Sequence, residues 1–322
     1  MRFKCVFGSL FWLLFACNGG GQQPVQTTKT NNPESLVTLS VLGIMQDGGL
    51  PHLGCQKSCC SPYASQKKSN AYVVSLGLYD REFNKGYIFE ASPDFVAQWN
   101  DFKSIFSEIS LDVLGGVFIT HAHIGHYLGL AYLGREALNA RAVPVYAMPK
   151  MSDFLKNNGP WDQLYSGKNI ALRDLSHKDT LQLSKNLSVV PLLVPHRDEY
   201  SETVGYQIIG PEKSALFIPD IDKWERWDLS IIDLIKQVDY AFLDATFFDG
   251  QELAHRDMSL VPHPFIVESL ELFDTLQTPD RNKVHFIHFN HTNPALNPKS
   301  KAFKIVKEAG FNCAKQGQQF AL

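Results

Sequence analysis

The chain has 322 residues; 44% are hydrophobic, 20% are charged, and the formal net charge is −3. This balance is typical of a globular protein with a sizeable core, arranged as one large domain or two ordinary ones. Because the chain has neither a basic excess nor a block of like charge, the composition argues against a nucleic-acid-binding surface.

Residues 1–17 have the pattern of a secretory signal. A short basic start and an apolar core over residues 6–15 lead to a small residue, Ala16, before Cys17. The apolar run is too short to span a bilayer comfortably. The ending "LLFAC" resembles a bacterial lipobox, in which Cys17 would be lipidated; a plain cleaved signal or a short anchor is the alternative. We therefore predict an exported protein, lipid-anchored at the periplasmic face of a bacterial membrane.

The next segment, residues 18–36, is predicted to be a flexible tether. It consists mainly of Gly, Gln, Thr, Asn and Pro, and it cannot bury enough apolar surface to fold. No obvious linker divides the rest of the chain. A single folded domain is therefore predicted for residues 37–322.

Ten apolar, β-branched runs in this domain predict buried strands. Four segments with helical spacing lie between or after them, and the first begins with Ser92 as a cap followed by Pro. The order of these elements predicts a layered α/β domain. The strand runs are "LVTLSVLGI", "AYVVSLGLY", "GYIFEA", "DVLGGVFIT", "VPVYAM", "LSVVPLLVPH", "TVGYQIIG", "SALFIPDI", "YAFLDATF" and "VHFIHF", and the helical segments are "SPDFVAQWNDFKSIF", "HYLGLAYLGREALNA", "HPFIVESLELFDTL" and "SKAFKIVKEAG".

Five of the predicted strands end in His or Asp. Ligands of α/β sheets collect at the carboxyl edge of the strands, so we expect these side chains to share one site. Any one of these histidines alone would more often be an ordinary surface or core residue, but the coincidence at five strand ends favours a site. The residues are His121, His123, His126, His196, Asp220, Asp222, Asp244, His288 and His291.

The segment "THAHIGH" has a spacing that suits metal ligation. Alternate side chains of an extended segment point the same way, so His121 and His123 could bind one ion, and His126 follows after a turn. Imidazoles suit zinc, iron, manganese or nickel, and Asp220 would add an oxygen able to bridge two ions. We predict one or two divalent metal ions, zinc first, with iron or manganese as alternatives. Such an ion lowers the pKa of bound water to about 7.

Several motifs resemble a known family. "THAHIGH" resembles the HxHxDH motif of the metallo-β-lactamase fold superfamily. Within it, "VLGIMQDGGLPHLGCQKSCC", "LFIPDID", "FLDATF", "PHPFI" and "FIHFNHTNP" resemble coenzyme PQQ synthesis protein B and its relatives, and the chain is also similar to the cyclic phosphodiesterase of phosphonate breakdown. The resemblance covers about residues 38–300. It implies an αβ/βα four-layer sandwich with metal at the edge between the two sheets.

The resemblance also implies a metal role for six side chains. One set would hold the first ion, another would hold the second, and one carboxylate would bridge them. The first set is His121, His123 and His196, the second is His126 and His288, and the bridge is Asp220.

Gly125 departs from the superfamily motif, which has an Asp ligand there. Three consequences are open at this point: the site holds one metal, another acid such as Asp47, Asp222 or Asp244 fills the gap, or hydrolysis has been lost. The first two histidines of the motif, often missing in proteins close to coenzyme PQQ synthesis protein B, are both present.

The segment "HLGCQKSCC" offers Cys55, Cys59 and Cys60 as ligands of a separate structural zinc. The resemblance implies that His291 completes this site, and His52 is an alternative fourth ligand. A disulfide between Cys55 and Cys59, or free buried thiols, is the competing interpretation.

We place His263, Asp220 and Asp244 in the catalytic set, with His263 as the general acid; a loop histidine packed beside two prolines is the alternative. Arg197 would face an anionic substrate, or pair with an acidic neighbour on the surface.

The predicted function is a metal-dependent hydrolase acting on a phosphodiester or another ester of a small molecule. The alternatives are an iron-dependent oxidoreductase resembling coenzyme PQQ synthesis protein B, and a non-catalytic protein that binds a metal or a small ligand.

Overall fold

Two seven-stranded sheets form the centre of the structure, a computed structural model that describes residues 35–67, 71–106, 114–253 and 256–322. In chain order the strands are β1 (Val37–Gly43), β2 (Ser75–Asp80), β3 (Lys85–Phe89), β4 (Leu114–Phe118), β5 (Val143–Ala147), β6 (Ile170–Asp174), β7 (Leu181–Ser184), β8 (Leu187–Leu193), β9 (Val204–Ile209), β10 (Ser214–Ile218), β11 (Tyr240–Asp244), β12 (Val284–Ile287), β13 (Asn312–Cys313) and β14 (Gln319–Ala321).

The first sheet has the strand order β14-β1-β2-β3-β4-β5-β6, and the second has the order β13-β12-β11-β10-β9-β8-β7. Strands β3 to β6 are parallel neighbours, as are β10 to β13. Asp244 at the end of β11 is level with Ile287 at the end of β12. The register therefore brings the chain that follows β12 to the same sheet edge as Asp244.

Helices cover the outer faces of both sheets. A short 3-10 turn, Pro294–Leu296, also lies between β12 and the helix that precedes β13. The α-helices are α1 (Ser61–Ala64), α2 (Phe95–Ile105), α3 (Ile124–Tyr127), α4 (Pro149–Asn157), α5 (Trp161–Ser166), α6 (Ile231–Gln237), α7 (Ile266–Leu272), α8 (Thr278–Arg281) and α9 (Lys301–Glu308).

Alternation along the strands divides the core into three apolar clusters. On β10, Ala215 and Phe217 pack between the two sheets, whereas Leu216 and Ile218 pack against the outer helices α6, α7 and α9. This alternation follows from the two-residue period of a strand. On the far side, α2 packs Trp99 and Phe102 against the first sheet. The layers are helix, sheet, sheet, helix, which confirms the predicted αβ/βα four-layer sandwich.

Each of the ten predicted strand runs contains a strand, and three of the four predicted helical segments contain an α-helix (α2, α7 and α9), whereas the fourth differs from the prediction. The segment 126–140 was predicted to be one helix; α3 ends at Tyr127, and a 3-10 helix, Leu128–Leu133, follows. Gly129 accounts for part of the difference. A Cβ there would lie 2.4 Å from the Ser92 carbonyl oxygen, so close contact with Ser92 constrains the backbone of this segment. Similarly, α2 begins after Asp94 rather than Ser92.

The predicted leader, the lipidation residue Cys17 and nearly all of the tether lie outside the described residues, which begin at Ser35. One compact unit covers residues 33–322. Within the part of the chain that the structure describes, none of the helices has the length and apolarity needed to cross a bilayer. The lipid anchor and the exported localisation remain predictions.

Candidate metal centre

The loops that follow strands of both sheets meet at one edge of the sandwich. All of the predicted active-site metal ligands lie there, together with Asp244 of the predicted catalytic set. Their side chains are buried, apart from the partly exposed His123. The residues are His121, His123 and His126 after β4, His196 after β8, Asp220 after β10, Asp244 at the end of β11, and His288 after β12.

Asp220 lies at the centre of this group. Its Oδ1 is 3.2 Å from His196 Nε2, and its Oδ2 is 3.3 Å from His121 Nε2. Oδ2 is also 3.6 Å from His126 Nε2 and 3.9 Å from His288 Nε2. The two oxygens thus face imidazoles of both predicted sets, as a bridging carboxylate would.

The ligand atoms fall into two groups around Asp220. In the first, atoms of His121, His123, His196 and Asp220 all lie within 4.8 Å of one another. In the second, atoms of Asp47, His126 and His288 do so. A related group unites Asp220, Asp244, His263 and His288 within the same distance.

Asp47 occupies the space beside Gly125. A Cβ built on Gly125 would lie 2.1 Å from Asp47 Oδ1, closer than any real contact. The other acids considered for this place have different partners: Asp222 contacts His196 Nδ1 at 3.1 Å, and Asp244 contacts His263 Nδ1 at 2.8 Å. Of the three candidates, only Asp47 fills the gap left by the glycine.

Three buried imidazoles are each hydrogen-bonded through Nδ1 to a partner outside the group, and a fourth has a carboxylate close to Nδ1, so that Nε2 of all four faces inward. Thr120 Oγ1 is 2.8 Å from His121, Asp222 Oδ1 is 3.1 Å from His196, and Thr246 Oγ1 is 2.9 Å from His288. Such partners orient histidine ligands in metal sites. The fourth pair is Glu90 and His126, with Glu90 Oε1 at 3.4 Å from Nδ1.

Glu90 was missed by the sequence analysis. It is fully buried, follows β3, and has a left-handed backbone with φ +74°, an uncommon conformation for a residue other than glycine. His288 has the same conformation, with φ +65°. The signal for Glu90 was a single acid at the end of the apolar run "GYIFEA", the same pattern that singled out Asp220 and Asp244.

Many buried polar atoms at this centre lack a hydrogen-bond partner among the described residues. Leaving such atoms unsatisfied is costly, so their clustering calls for a bound group. A divalent cation fits the donor set of imidazole nitrogens and carboxylate oxygens. The atoms are Asp47 Oδ1, Glu90 Oε1, Nδ1 and Nε2 of His126, His196 Nε2, Asp220 Oδ1 and His288 Nε2.

The electrostatics of the centre agree with this fit. Burial would raise the pKa of Asp220, but the charges of His196 and His263 hold it well below its usual range. Burial would lower the pKa of His196, but Asp220 and Asp222 raise it to about 10. The carboxylates are therefore ionised, and without a metal their charge is balanced by protons on imidazoles. A metal ion would replace those protons.

His263 lies at the edge of the centre, where a cavity of about 880 Å³ begins. Burial would lower the pKa of His263, but the carboxylates of Asp244 and Asp220 raise it. Asp244 Oδ2 is 2.8 Å from Nδ1, and Asp220 Oδ1 is 3.1 Å from the same nitrogen. The second ring nitrogen, Nε2, is left for a molecule in the cavity.

The cavity is lined by cations, neutral polar side chains and apolar side chains. Lys57, Arg197 and Arg256 are exposed and line it, and none of the three forms a salt bridge with a carboxylate among the described residues. No Asp or Glu among the described residues lines the cavity. Leu53 and Leu260 stand at its wall with 94% and 75% of their surface exposed. Arg197 lines the cavity and also interacts electrostatically with Glu199.

A second cluster, which we call the cysteine cluster, consists of Cys55, Cys59, Cys60 and His291. Their ligand atoms lie within 4.8 Å of one another, and the cysteines are free thiols. The Sγ atoms of Cys55 and Cys59 are 3.7 Å apart. His52 stacks on the His291 ring at 4.2 Å and is not a member of the cluster. Three thiols and one imidazole are a donor set that zinc prefers.

The thiols of this cluster differ in their ionisation. Burial raises the pKa of Cys60 to about 12 and also raises that of Cys59. The pKa of Cys55 is lowered: its small burial opposes this, but hydrogen bonds from the Lys57 backbone and the neighbouring thiols outweigh it. Metal binding would require all three thiols to lose their protons.

The sequence of the chain places it among known proteins. The family model described as the beta-lactamase superfamily domain matches residues 86–289, more than half of the chain. Coenzyme PQQ synthesis protein B of Methylococcus capsulatus is 25% identical over 312 residues, covering 88% of this chain and 99% of that protein. The corresponding protein of Nitrosococcus oceani is 24% identical over 317 residues, with the same coverage.

Solved structures share the fold. Zn(2+)-bound PqqB from Methylobacterium extorquens superposes with a TM-score of 0.72 at 19% identity, over 88% of this chain and 100% of that one. A diphosphatase from the PhnP family gives a TM-score of 0.59 at 22% identity, over 88% and 96% of the two chains. These matches confirm the resemblance inferred from the motifs: the chain belongs to the β-lactamase superfamily.

Proposed function

We propose that this protein is a metal-dependent hydrolase that cleaves a phosphodiester or another ester. The observation that carries the proposal is the convergence of imidazole and carboxylate ligands on Asp220, with their buried donor atoms lacking other partners. When bound, divalent ions would supply an activated water at neutral pH and stabilise developing negative charge. His121, His123 and His196 would hold one ion, His126 and His288 would hold a second, and Asp220 would contribute to both.

His263 is the proton donor in this proposal. Asp244 holds Nδ1, so the imidazole presents Nε2 to the cavity, where the leaving oxygen of an ester would lie. The Asp244 carboxylate raises the pKa of His263, which favours the protonated form that a general acid requires. Asp244 is in turn fixed, since its Oδ1 accepts hydrogen bonds from Thr246 N and Oγ1.

The proposed substrate is an anionic small molecule. Lys57, Arg197 and Arg256 line the cavity without acidic neighbours in its wall, so their charges would be available to a phosphate or carboxylate. The apolar side chains of Leu53 and Leu260 would contact a nonpolar part of the same molecule.

Elemental analysis followed by an ester screen tests the proposal. Protein produced with zinc and iron both supplied should hold two or three zinc ions, one of them in the cysteine cluster. It should hydrolyse a diester such as bis(p-nitrophenyl) phosphate. His263→Ala should lower kcat by about 10²–10⁴-fold while the metal content stays constant. Absence of turnover on phosphodiesters and carboxylic esters, in fully metal-loaded protein, would overturn the hydrolase assignment.

Substrate charge is tested by replacing the cavity cations. Arg256→Gln and Arg197→Gln should each raise KM for an anionic diester several-fold and leave a neutral ester unaffected. Arg135→Gln is the matched control, since Arg135 is 72% exposed, pairs with Glu136 and does not line the cavity. Equal effects on charged and neutral esters would contradict the proposed role.

An iron-dependent oxidoreductase is the second candidate. It is favoured by the curated relatives, coenzyme PQQ synthesis protein B, which this chain matches over 99% of their length. Histidine and carboxylate ligands also suit iron. One tightly held iron at the centre, with oxygen consumption in place of ester cleavage, would favour this candidate over the hydrolase. A folded sample without metal would contradict both and leave a non-catalytic ligand-binding protein.

A further inference from the structure

We propose that Asp47 is a ligand of the second metal ion, and that the loop after β1 thereby supplies the carboxylate that the motif segment "THAHIGH" lacks at Gly125. The inference deepens the two-ion centre on which the proposed function rests. It requires metal binding at Asp47, His126 and His288, but it does not require ester hydrolysis.

The first argument is that positions 47 and 125 compete for one volume. A Cβ on Gly125 would lie 2.1 Å from Asp47 Oδ1, 2.8 Å from its Cγ and 2.7 Å from its Cα. The last contact is with backbone, so a change of side-chain rotamer would not relieve it. An acid at position 125 and the present position of Asp47 therefore exclude each other.

The second argument is that Asp47 Oδ1 points at the ligands. It lies 3.2 Å from His126 Nε2, and its group with His126 and His288 spans less than 4.8 Å. Oδ1 is buried and has no hydrogen-bond partner among the described residues, whereas Oδ2 accepts a long hydrogen bond of 3.4 Å from Gln46 Nε2. The oxygen nearest the imidazoles is thus the one left for a cation.

The third argument is that the backbone fixes Asp47 relative to His288. Gln46 N donates to Phe289 O at 2.8 Å, and Phe289 N donates to Ile44 O at 2.9 Å. Met45 forms a parallel bridge with Phe289. Hydrogen bonds therefore join the residues just before Asp47 to the residue just after His288. They hold the Asp47 carboxylate and the His288 imidazole in fixed positions relative to each other, although the two residues are far apart in the sequence.

Substitutions at positions 47 and 125 test whether Asp47 takes the place of the missing acid. Asp47→Ala should bind the second ion at least about tenfold more weakly, measured by zinc competition with a chromophoric chelator and by metal analysis. Gly125→Asp alone should lower the thermal midpoint, because the two carboxylates collide.

Asp153→Ala is the matched control, since Asp153 is an exposed acid on α4; it should bind metal like the unaltered protein. Asp47→Asn, which keeps the shape of the side chain, separates ligand loss from misfolding if Asp47→Ala folds poorly. Unchanged affinity for the second ion in Asp47→Asn would overturn the inference.

These outcomes are distinguishable from failure of the proposed function. Metal binding that follows the predicted pattern, in a protein that cleaves no ester, would leave the ligand exchange intact and remove the hydrolase. Ester hydrolysis by an unaltered protein with one ion at the centre would do the reverse.

Discussion

The metal centre and the cysteine cluster differ in how much of the fold each requires. The centre takes its ligands from loops after strands of both sheets, and nearly all of them are buried. The cysteine cluster takes three of its four ligands from residues 55–60 and is partly exposed. A site assembled locally can be predicted from one stretch of sequence, whereas a site assembled from many strands depends on the packing of the whole sandwich.

The two chain segments that supply the cysteine cluster nevertheless also supply residues of the centre. Asp47 of the centre and Cys55 of the cluster lie on the same loop after β1. His288 of the centre and His291 of the cluster lie among the four residues that follow β12. Each site could therefore stabilise the segments that the other uses, and substitutions can show whether it does.

The largest effect is expected from Asp220→Asn. Because Asp220 faces both groups of imidazoles, its loss should remove the ions of the centre and lower kcat/KM by at least about 10³-fold, about 4 kcal/mol. Zinc in the cysteine cluster should remain, at one ion per chain by elemental analysis. Loss of that zinc as well would show that the two sites are not independent.

Cys55→Ser should disrupt the cysteine cluster and leave the metal centre intact. Removing one thiolate should cost the protein one zinc and lower the free energy of unfolding by several kcal/mol, measured by chemical denaturation. The ions of the centre should remain. Cys313→Ser is the control, because Cys313 lies on β13 outside the cluster. Equal zinc loss in both variants would refute the cluster as a binding site.

Glu90→Gln should weaken the centre without dismantling it. The carboxylate orients His126 through Nδ1, and loss of such a partner typically lowers metal affinity by about 10–100-fold. Competition with a chelator would measure this change. The cysteine cluster should keep its affinity, so a parallel loss there would again indicate coupling between the sites.

The smallest effect concerns Glu252, which accepts hydrogen bonds from Phe248 N and from Thr292 Oγ1, next in sequence to His291. Burial raises its pKa to about 7. The folded state therefore disfavours the charged form, and stability from this group falls as the pH rises from about 4.5 to about 7.

Glu252→Gln should remove that pH dependence. Relative to the unaltered protein, the variant should gain on the order of 1–2 kcal/mol of stability between pH 5 and pH 8, since the side chain keeps some contact with water. Urea unfolding at the two pH values measures the difference. A constant difference between the proteins would show that Glu252 ionises normally.

Much of this molecule was predictable because strand runs and the residues at their ends are local features. The ten runs, the ligands His121 to His288 and the cysteine cluster all follow from short segments. The sequence offered Asp47 as one of three acids beside Gly125 and could not choose among them, since Asp47 approaches Gly125 only through the pairing of Met45 with Phe289. The prediction of one helix over residues 126–140 was wrong for the same reason. Contact with another loop, rather than the local spacing of apolar residues, decides the backbone geometry of that segment.

The left-handed backbone at Glu90 and His288 has a consequence for protein engineering. A residue other than glycine in this conformation costs on the order of 1 kcal/mol, and here that cost is borne by two side chains at the metal centre. Screens that reward thermal stability or expression alone will tend to accept glycine at such positions. Improved variants of this protein should therefore be selected with metal retention as a second criterion, because robustness and function pull these two positions in opposite directions.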